Sequence, residues 1–73
     1  ILGLAHIYNI MGVILEGKGK LKKALRMQFT ALRYAAKIKN PVLIATILAS
    51  ISDIWNSLGK VERAWILADN LDR

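Results

Sequence analysis

The chain has 73 residues, of which 55% are hydrophobic, and it carries a formal net charge of +6. A chain of this length forms one small domain at most and buries only about 60% of the surface that its unfolded form exposes. So much apolar surface predicts contacts with further chain or with a second copy. No Cys is present, which excludes disulfides and thiolate metal sites and favours a cytoplasmic location.

Two stretches lack charged residues, and both are short for a membrane span. They run from Ile1 to Leu15 and from Pro41 to Ser52, whereas a spanning helix needs about 20 residues. The first stretch also lacks the basic leader and the cleavage site of a signal peptide. We therefore expect no membrane span.

Glycine and proline divide the chain into four segments of helical length. The breaking signals stand at Gly17 to Gly19, at Asn40-Pro41 and at Gly59. They predict helices over residues 2–16, 20–39, 41–58 and 60–71. Asn40 should cap the third helix, with Pro41 in its first turn. The expected fold class is all-α.

The sequence matches itself when it is shifted by about 40 residues. The match spans two helices and the turn between them, so we place repeat one at residues 1–40 and repeat two at residues 41–73 of a single domain, 1–73. Identical pairs include Ala5 and Ala45, Ile7 and Ile47, Ile14 and Ile54, Gly19 and Gly59, Lys20 and Lys60, and Ala24 and Ala64.

Both repeats carry small and large residues in an order that tetratricopeptide repeats use. These positions are Gly12, Leu15, Gly19 and Ala24 in repeat one, and Ser52, Trp55, Gly59 and Ala64 in repeat two. The chain therefore resembles the tetratricopeptide repeat family, in a variant with a period of about 40 residues rather than about 34. The resemblance implies two tandem helix-turn-helix hairpins, a fragment of a right-handed α-α superhelix. Its small residues would let helices approach, and its large residues would fill the space beside them.

The resemblance also implies a concave partner-binding face, formed by the first helix of each hairpin. This face would carry His6, Asn9, Val13 and Glu16, together with Thr46, Ala49, Ser50, Asp53 and Asn56. The residues of the first helix recur every three or four positions, so they share one side. The polar side chains could bond a peptide backbone. The alternative for each of them is a solvated residue without a partner.

The second predicted helix carries positive charge that no acid on it balances, since no Asp or Glu lies between Lys18 and Lys39. A basic patch recurs at helical spacing opposite the predicted buried side, as on a solvated convex face. It consists of Lys22, Arg26, Arg33 and Lys37. Nucleic-acid binding would need accessible aromatic side chains among the charges, for which Phe29 and Tyr34 are the candidates. We favour the solvated face.

No group of residues in the sequence is typical of catalysis or of metal binding. His6 is the only His, and there is no Cys to complete a metal site. The run Gly17-Lys18-Gly19-Lys20 follows a predicted helix and lacks the Gly-Lys-Ser/Thr ending of a phosphate loop. We expect no enzyme, no cofactor and no metal.

Three functions remain after these exclusions. The leading hypothesis is a scaffold module that binds a protein or peptide, as part of a larger regulatory or assembly protein. The second is a homo-oligomerisation module, because helix one is apolar nearly all round and the last helix adds apolar side chains beyond its own stripe. The third is nucleic-acid binding by the basic surface of the second helix.

Overall fold

A computed structural model of the chain describes the backbone of residues 2–71 and the side chains of residues 2–67. It contains three α-helices, which are α1 (Leu2–Gly17), α2 (Leu21–Lys37) and α3 (Pro41–Leu71). No strand is present in residues 2–71, so the predicted all-α class is confirmed. The molecule is elongated, with extents of 52 × 19 × 14 Å.

The central element is α2, which packs along both α1 and α3, while α1 and α3 touch only marginally. Small alanine side chains on α2 let its neighbours approach, and Ile47 and Ile54 of α3 are the largest fully buried hydrophobic side chains. The core cluster consists of Ala5, Ala31, Ala35, Leu43, Ile47 and Ile51.

Both connections between helices use a residue in the left-handed backbone region to end the preceding helix. After α1 this residue is Gly19, with φ of 78°, and the Lys20 N–H then donates to the Leu15 carbonyl at 2.9 Å. After α2 it is Lys39, with φ of 52°. Such a turn satisfies carbonyls that the helix end would otherwise leave unpaired.

The predicted start of the third helix is confirmed. The backbone N–H of Leu43 donates to Oδ1 of Asn40 at 3.1 Å, which is the hydrogen bond of an N-cap. Pro41 is the first residue of α3, where its missing N–H leaves no helical hydrogen bond unmade.

The predicted turn at Gly59 is wrong, because α3 runs unbroken from Pro41 to Leu71. The structure therefore has three helices, and the segment predicted as a fourth helix is the distal part of α3. Among the described glycines only Gly19 has a positive φ. A glycine inside a helix costs about 1 kcal/mol relative to alanine, whereas a break would free several backbone groups. The good helix formers on either side, Leu58 and Lys60, favour continuation.

The helices α1 and α2 approach closely at Gly12. A β-carbon at this position would lie 2.5 Å from Nε2 of Gln28 and 2.8 Å from its Cδ. Gln28 is fully buried, and its Nε2 donates to the backbone carbonyl of Asn9 at 3.1 Å. The absence of a side chain at Gly12 therefore makes the room that Gln28 occupies.

We expect Gly12→Ala to lower the free energy of unfolding by about 1–3 kcal/mol, as overpacking of a close contact does. The added methyl group collides with Gln28 and displaces it from the Asn9 carbonyl. Urea denaturation followed by circular dichroism measures the change.

The matched control is Gly3→Ala, because a β-carbon at Gly3 meets nothing within 4 Å. This variant should gain up to about 1 kcal/mol from the better helix propensity of alanine. Equal stability of Gly12→Ala and the wild type would contradict the close approach.

A second pair of variants tests the continuity of α3. A β-carbon at Gly59 or at Gly19 meets nothing within 4 Å, so only the backbone conformation distinguishes the two sites. Gly59→Ala should raise the free energy of unfolding by about 0.5–1 kcal/mol, because Gly59 is helical. Gly19→Ala should lower it by about 1–2 kcal/mol, because alanine disfavours a positive φ. Destabilisation by Gly59→Ala would instead indicate a turn there.

Candidate functional site

The nine residues predicted to form a concave face lie on α1 and on the first half of α3, and none of them is fully buried. We call this set the α1/α3 face. Its exposed members are His6, Val13, Thr46, Ala49, Asp53 and Asn56, and its half-buried members are Asn9, Glu16 and Ser50. Solvent reaches all of these residues, so a partner can contact them.

Asn9 is the member of the α1/α3 face that is most involved in the fold. Its backbone carbonyl accepts the hydrogen bond from Gln28. Its side-chain Oδ1 is buried and, like Oε1 of Gln28, has no hydrogen-bond partner among the described residues. A buried unpaired acceptor costs roughly 1–3 kcal/mol. The polar groups best placed for a partner are therefore those of α3, chiefly Asp53 and Asn56.

All the acidic residues among positions 1–61 lie on the α1/α3 face. Glu16 and Asp53 are the only acidic residues before Glu62, and both belong to this face. The basic residues from Lys18 to Lys39 lie instead on α2 and in the two turns that flank it. The molecule thus presents surfaces of opposite sign on different helices, which steers oppositely charged partners to different sides.

The four predicted basic residues of α2 are exposed, and we call them the basic stripe. They are Lys22, Arg26, Arg33 and Lys37. Nζ of Lys37 lies 5.8 Å from the ring centroid of Tyr34, within the range of a cation–π contact. A shallow surface pocket of about 90 Å³ is lined by Thr30, Arg33, Tyr34 and Lys37.

Two aromatic pairs join α2 to its neighbours beside the basic stripe. Tyr34 stacks on Tyr8 of α1 with ring centroids 5.8 Å apart. Phe29 meets Trp55 of α3 edge to face at 6.2 Å. Phe29 is 41% exposed and Trp55 is 56% exposed. Exposed aromatic area therefore adjoins the positive charge, which the sequence alone did not establish.

The positions that carry the tetratricopeptide resemblance have different environments in the two repeats. Gly12 and Ala24 are buried, Leu15 is half-buried, and their counterparts Ser52, Ala64 and Trp55 are exposed. Gly19 ends α1, whereas Gly59 lies inside α3. The difference follows from the straight course of α3, because its distal half does not return to cover its first half.

A stretch of α3, Pro41–Leu67, is long and apolar enough to cross a membrane by length and composition. The core helices of soluble proteins pass the same test, although only 22% of this apolar window is buried in the chain. Four charged residues, Asp53, Lys60, Glu62 and Arg63, lie within this stretch, and charged side chains in a bilayer core are costly. The absence of a membrane span stays a prediction.

The side chains of residues 2–67 include no group of three or more His, Cys, Asp or Glu that could hold a metal ion. Comparison of the chain with protein-family models, with curated proteins and with solved structures finds no match. The assignment of a function therefore rests on the charge, exposure and packing of the residues described above.

Proposed function

We propose that the chain is a protein-interaction module of the tetratricopeptide type, and that its α1/α3 face binds a peptide segment with basic side chains. In this proposal α1 and α2 form one repeat unit and α3 begins the next. The internal repeat supports it, as do the buried small residues Gly12 and Ala24 between helices. The proposed activity is binding, without catalysis or a cofactor.

The observation that carries this proposal is the placement of Glu16 and Asp53, the only acidic residues before Glu62, on the α1/α3 face. Carboxylates form charge-assisted hydrogen bonds with Lys and Arg side chains. The exposed Asn56, three residues after Asp53 on α3, offers an amide to a peptide backbone, and the exposed Val13 offers apolar contact. Every charged residue from Lys18 to Lys39 is basic and repels a cationic peptide. Such a peptide is therefore directed to the α1/α3 face.

Peptides selected by the chain from a phage-displayed random library should be enriched in Lys and Arg. The double variant Glu16→Gln, Asp53→Asn keeps the shape of both side chains and removes their charge. It should bind a labelled selected peptide about tenfold more weakly at low salt, because two partly exposed ion pairs are together worth roughly 1–2 kcal/mol. Fluorescence anisotropy measures the affinity.

The matched control is Glu62→Gln, which removes one negative charge from the distal half of α3. The affinity of this variant for the labelled peptide should equal that of the wild type. A selected pool without basic residues would contradict the proposal, and so would an equal loss of affinity in Glu62→Gln.

A second candidate function is polyanion binding by α2, and the exposed pair of Phe29 and Trp55 favours it. Bases of a single strand stack on exposed aromatic rings while Lys and Arg contact the phosphates. Phe29 and the neighbouring Lys22 and Arg26 supply both kinds of group on one side of α2.

Labelled oligothymidine is the probe for this second function. Its affinity should fall steeply with salt, and the double variant Lys22→Gln, Arg26→Gln should reduce the salt slope by about 1.4, because each phosphate contact to a single strand contributes about 0.7. Phe29→Ala should weaken binding without changing that slope. The Glu16→Gln, Asp53→Asn variant serves as the control and should not lose affinity. No detectable binding at low salt would rule this function out.

A further inference from the structure

A single apolar stripe follows α3 from its buried first half into its distal half. Its members recur four and three residues apart, as in a heptad pattern, and they are Ile47, Ile51, Ile54, Leu58, Val61 and Trp65. Ile47 and Ile54 are fully buried, Val61 is 47% exposed and Trp65 is 74% exposed. Thus α2 covers the first half of the stripe, and no described residue covers its distal end.

The distal half of α3 is the repeat counterpart of α2. A shift of about 40 residues places Val61 on Leu21 and Trp65 on Leu25. Leu25 is partly buried and packs against the core cluster, to which α3 contributes Leu43, Ile47 and Ile51. Trp65 therefore occupies a position that, in α2, packs against the helix that follows.

The residues of α3 that pack on α2 also have repeat counterparts, and these lie on α1. The same shift pairs Ile7 with Ile47, Met11 with Ile51, and Ile14 with Ile54. The α3 members are at most 4% exposed, whereas the α1 members are 42–54% exposed. These α1 residues lie on the side of the helix away from the buried Ala5. The surface by which α3 packs on α2 thus has an uncovered equivalent on α1.

We infer that α1 of one copy packs on the distal half of α3 of a second copy, repeating between molecules the α2–α3 interface that exists within the chain. We call Ile7, Met11 and Ile14 the head face, and Val61 and Trp65 the tail face. A second copy is the occupant because it brings the same kinds of residue, at the same spacing, as the interface already formed. The contact is independent of peptide binding by the α1/α3 face.

The head face lies on α1 and the tail face lies on α3. These two helices touch each other only marginally. The tail face also continues a stripe whose first half α2 already covers. The two faces differ from each other, so the contact is heterologous, and copies join head to tail.

Sedimentation equilibrium tests this arrangement. The weight-average mass of the wild type should rise with concentration beyond that of a dimer. Ile14→Glu spoils the head face and Trp65→Glu spoils the tail face, and each should weaken self-association at least about tenfold. An equal mixture of the two variants still pairs one intact head with one intact tail. The mixture should form a 1:1 heterodimer and nothing larger.

Val13→Glu and Ile66→Glu are the controls. Val13 and Ile66 adjoin the test residues in sequence and are 51% and 61% exposed. Their repeat counterparts, Asp53 and Arg26, are exposed rather than packed. Both controls should associate as the wild type does, and circular dichroism should show all four variants equally helical.

Tryptophan fluorescence gives an independent readout in a Trp55→Phe background. Emission then comes from Trp65 alone, and it should shift to shorter wavelength as the concentration rises.

Several outcomes would overturn the inference. They are a wild type that stays monomeric, a mixture of the two variants that forms no heterodimer, and controls that lose association as the test variants do. Peptide binding is measured separately on monomeric Trp65→Glu, so failure of head-to-tail assembly and failure of the proposed function are distinguished.

Discussion

Gly12 determines how closely α1 can lie against α2, because Gln28 fills the space that a β-carbon there would need. The amide of Gln28 is fully buried and bonds the backbone of Asn9, so a polar contact sits inside an otherwise apolar interface. Since α1 touches α3 only marginally, its contacts with α2, this one and the stack of Tyr8 on Tyr34 among them, hold α1 in place. A bulkier residue at Gly12 therefore affects the placement of a whole helix rather than one side chain.

The central position of α2 also explains how charge is distributed over the molecule. A helix packed on two neighbours has one open side, and α2 presents Lys22, Arg26, Arg33 and Lys37 there. The outer helices carry the acidic groups, with Glu16 on α1 and Asp53 on α3. Because these surfaces have opposite sign, the two proposed functions require ligands of opposite charge. Salt and charge-neutralising variants therefore separate them.

The sequence predicts those features of the fold that local chemistry decides. The end of α1 and the cap at Asn40 follow from the backbone preferences of Gly19 and of Asn-Pro, whereas α2 ends at Lys37, two residues before the predicted end. Gly59 misleads because glycine suits a turn and tolerates a helix, and the outcome depends on whether the distal segment packs back on α3. The α1/α3 face is implied by the tetratricopeptide resemblance, and the helical period adds that its α1 members share one side of that helix. The period does not reveal the exposure of Phe29 or the burial of the Asn9 oxygen, because both depend on contacts with another helix.

The unbroken α3 packs against α2 along its first half, whereas its distal half is exposed to solvent. Amide protons near Ile47 and Ile54 exchange with solvent only when α2 separates from α3, whereas those near Trp65 exchange when the helix alone opens. Hydrogen exchange along a continuous helix should therefore change abruptly near Leu58, without any break in the hydrogen-bond ladder. Beyond that boundary Lys60 and Arg63 are exposed, so opening of the distal half alone also offers cleavage sites to trypsin.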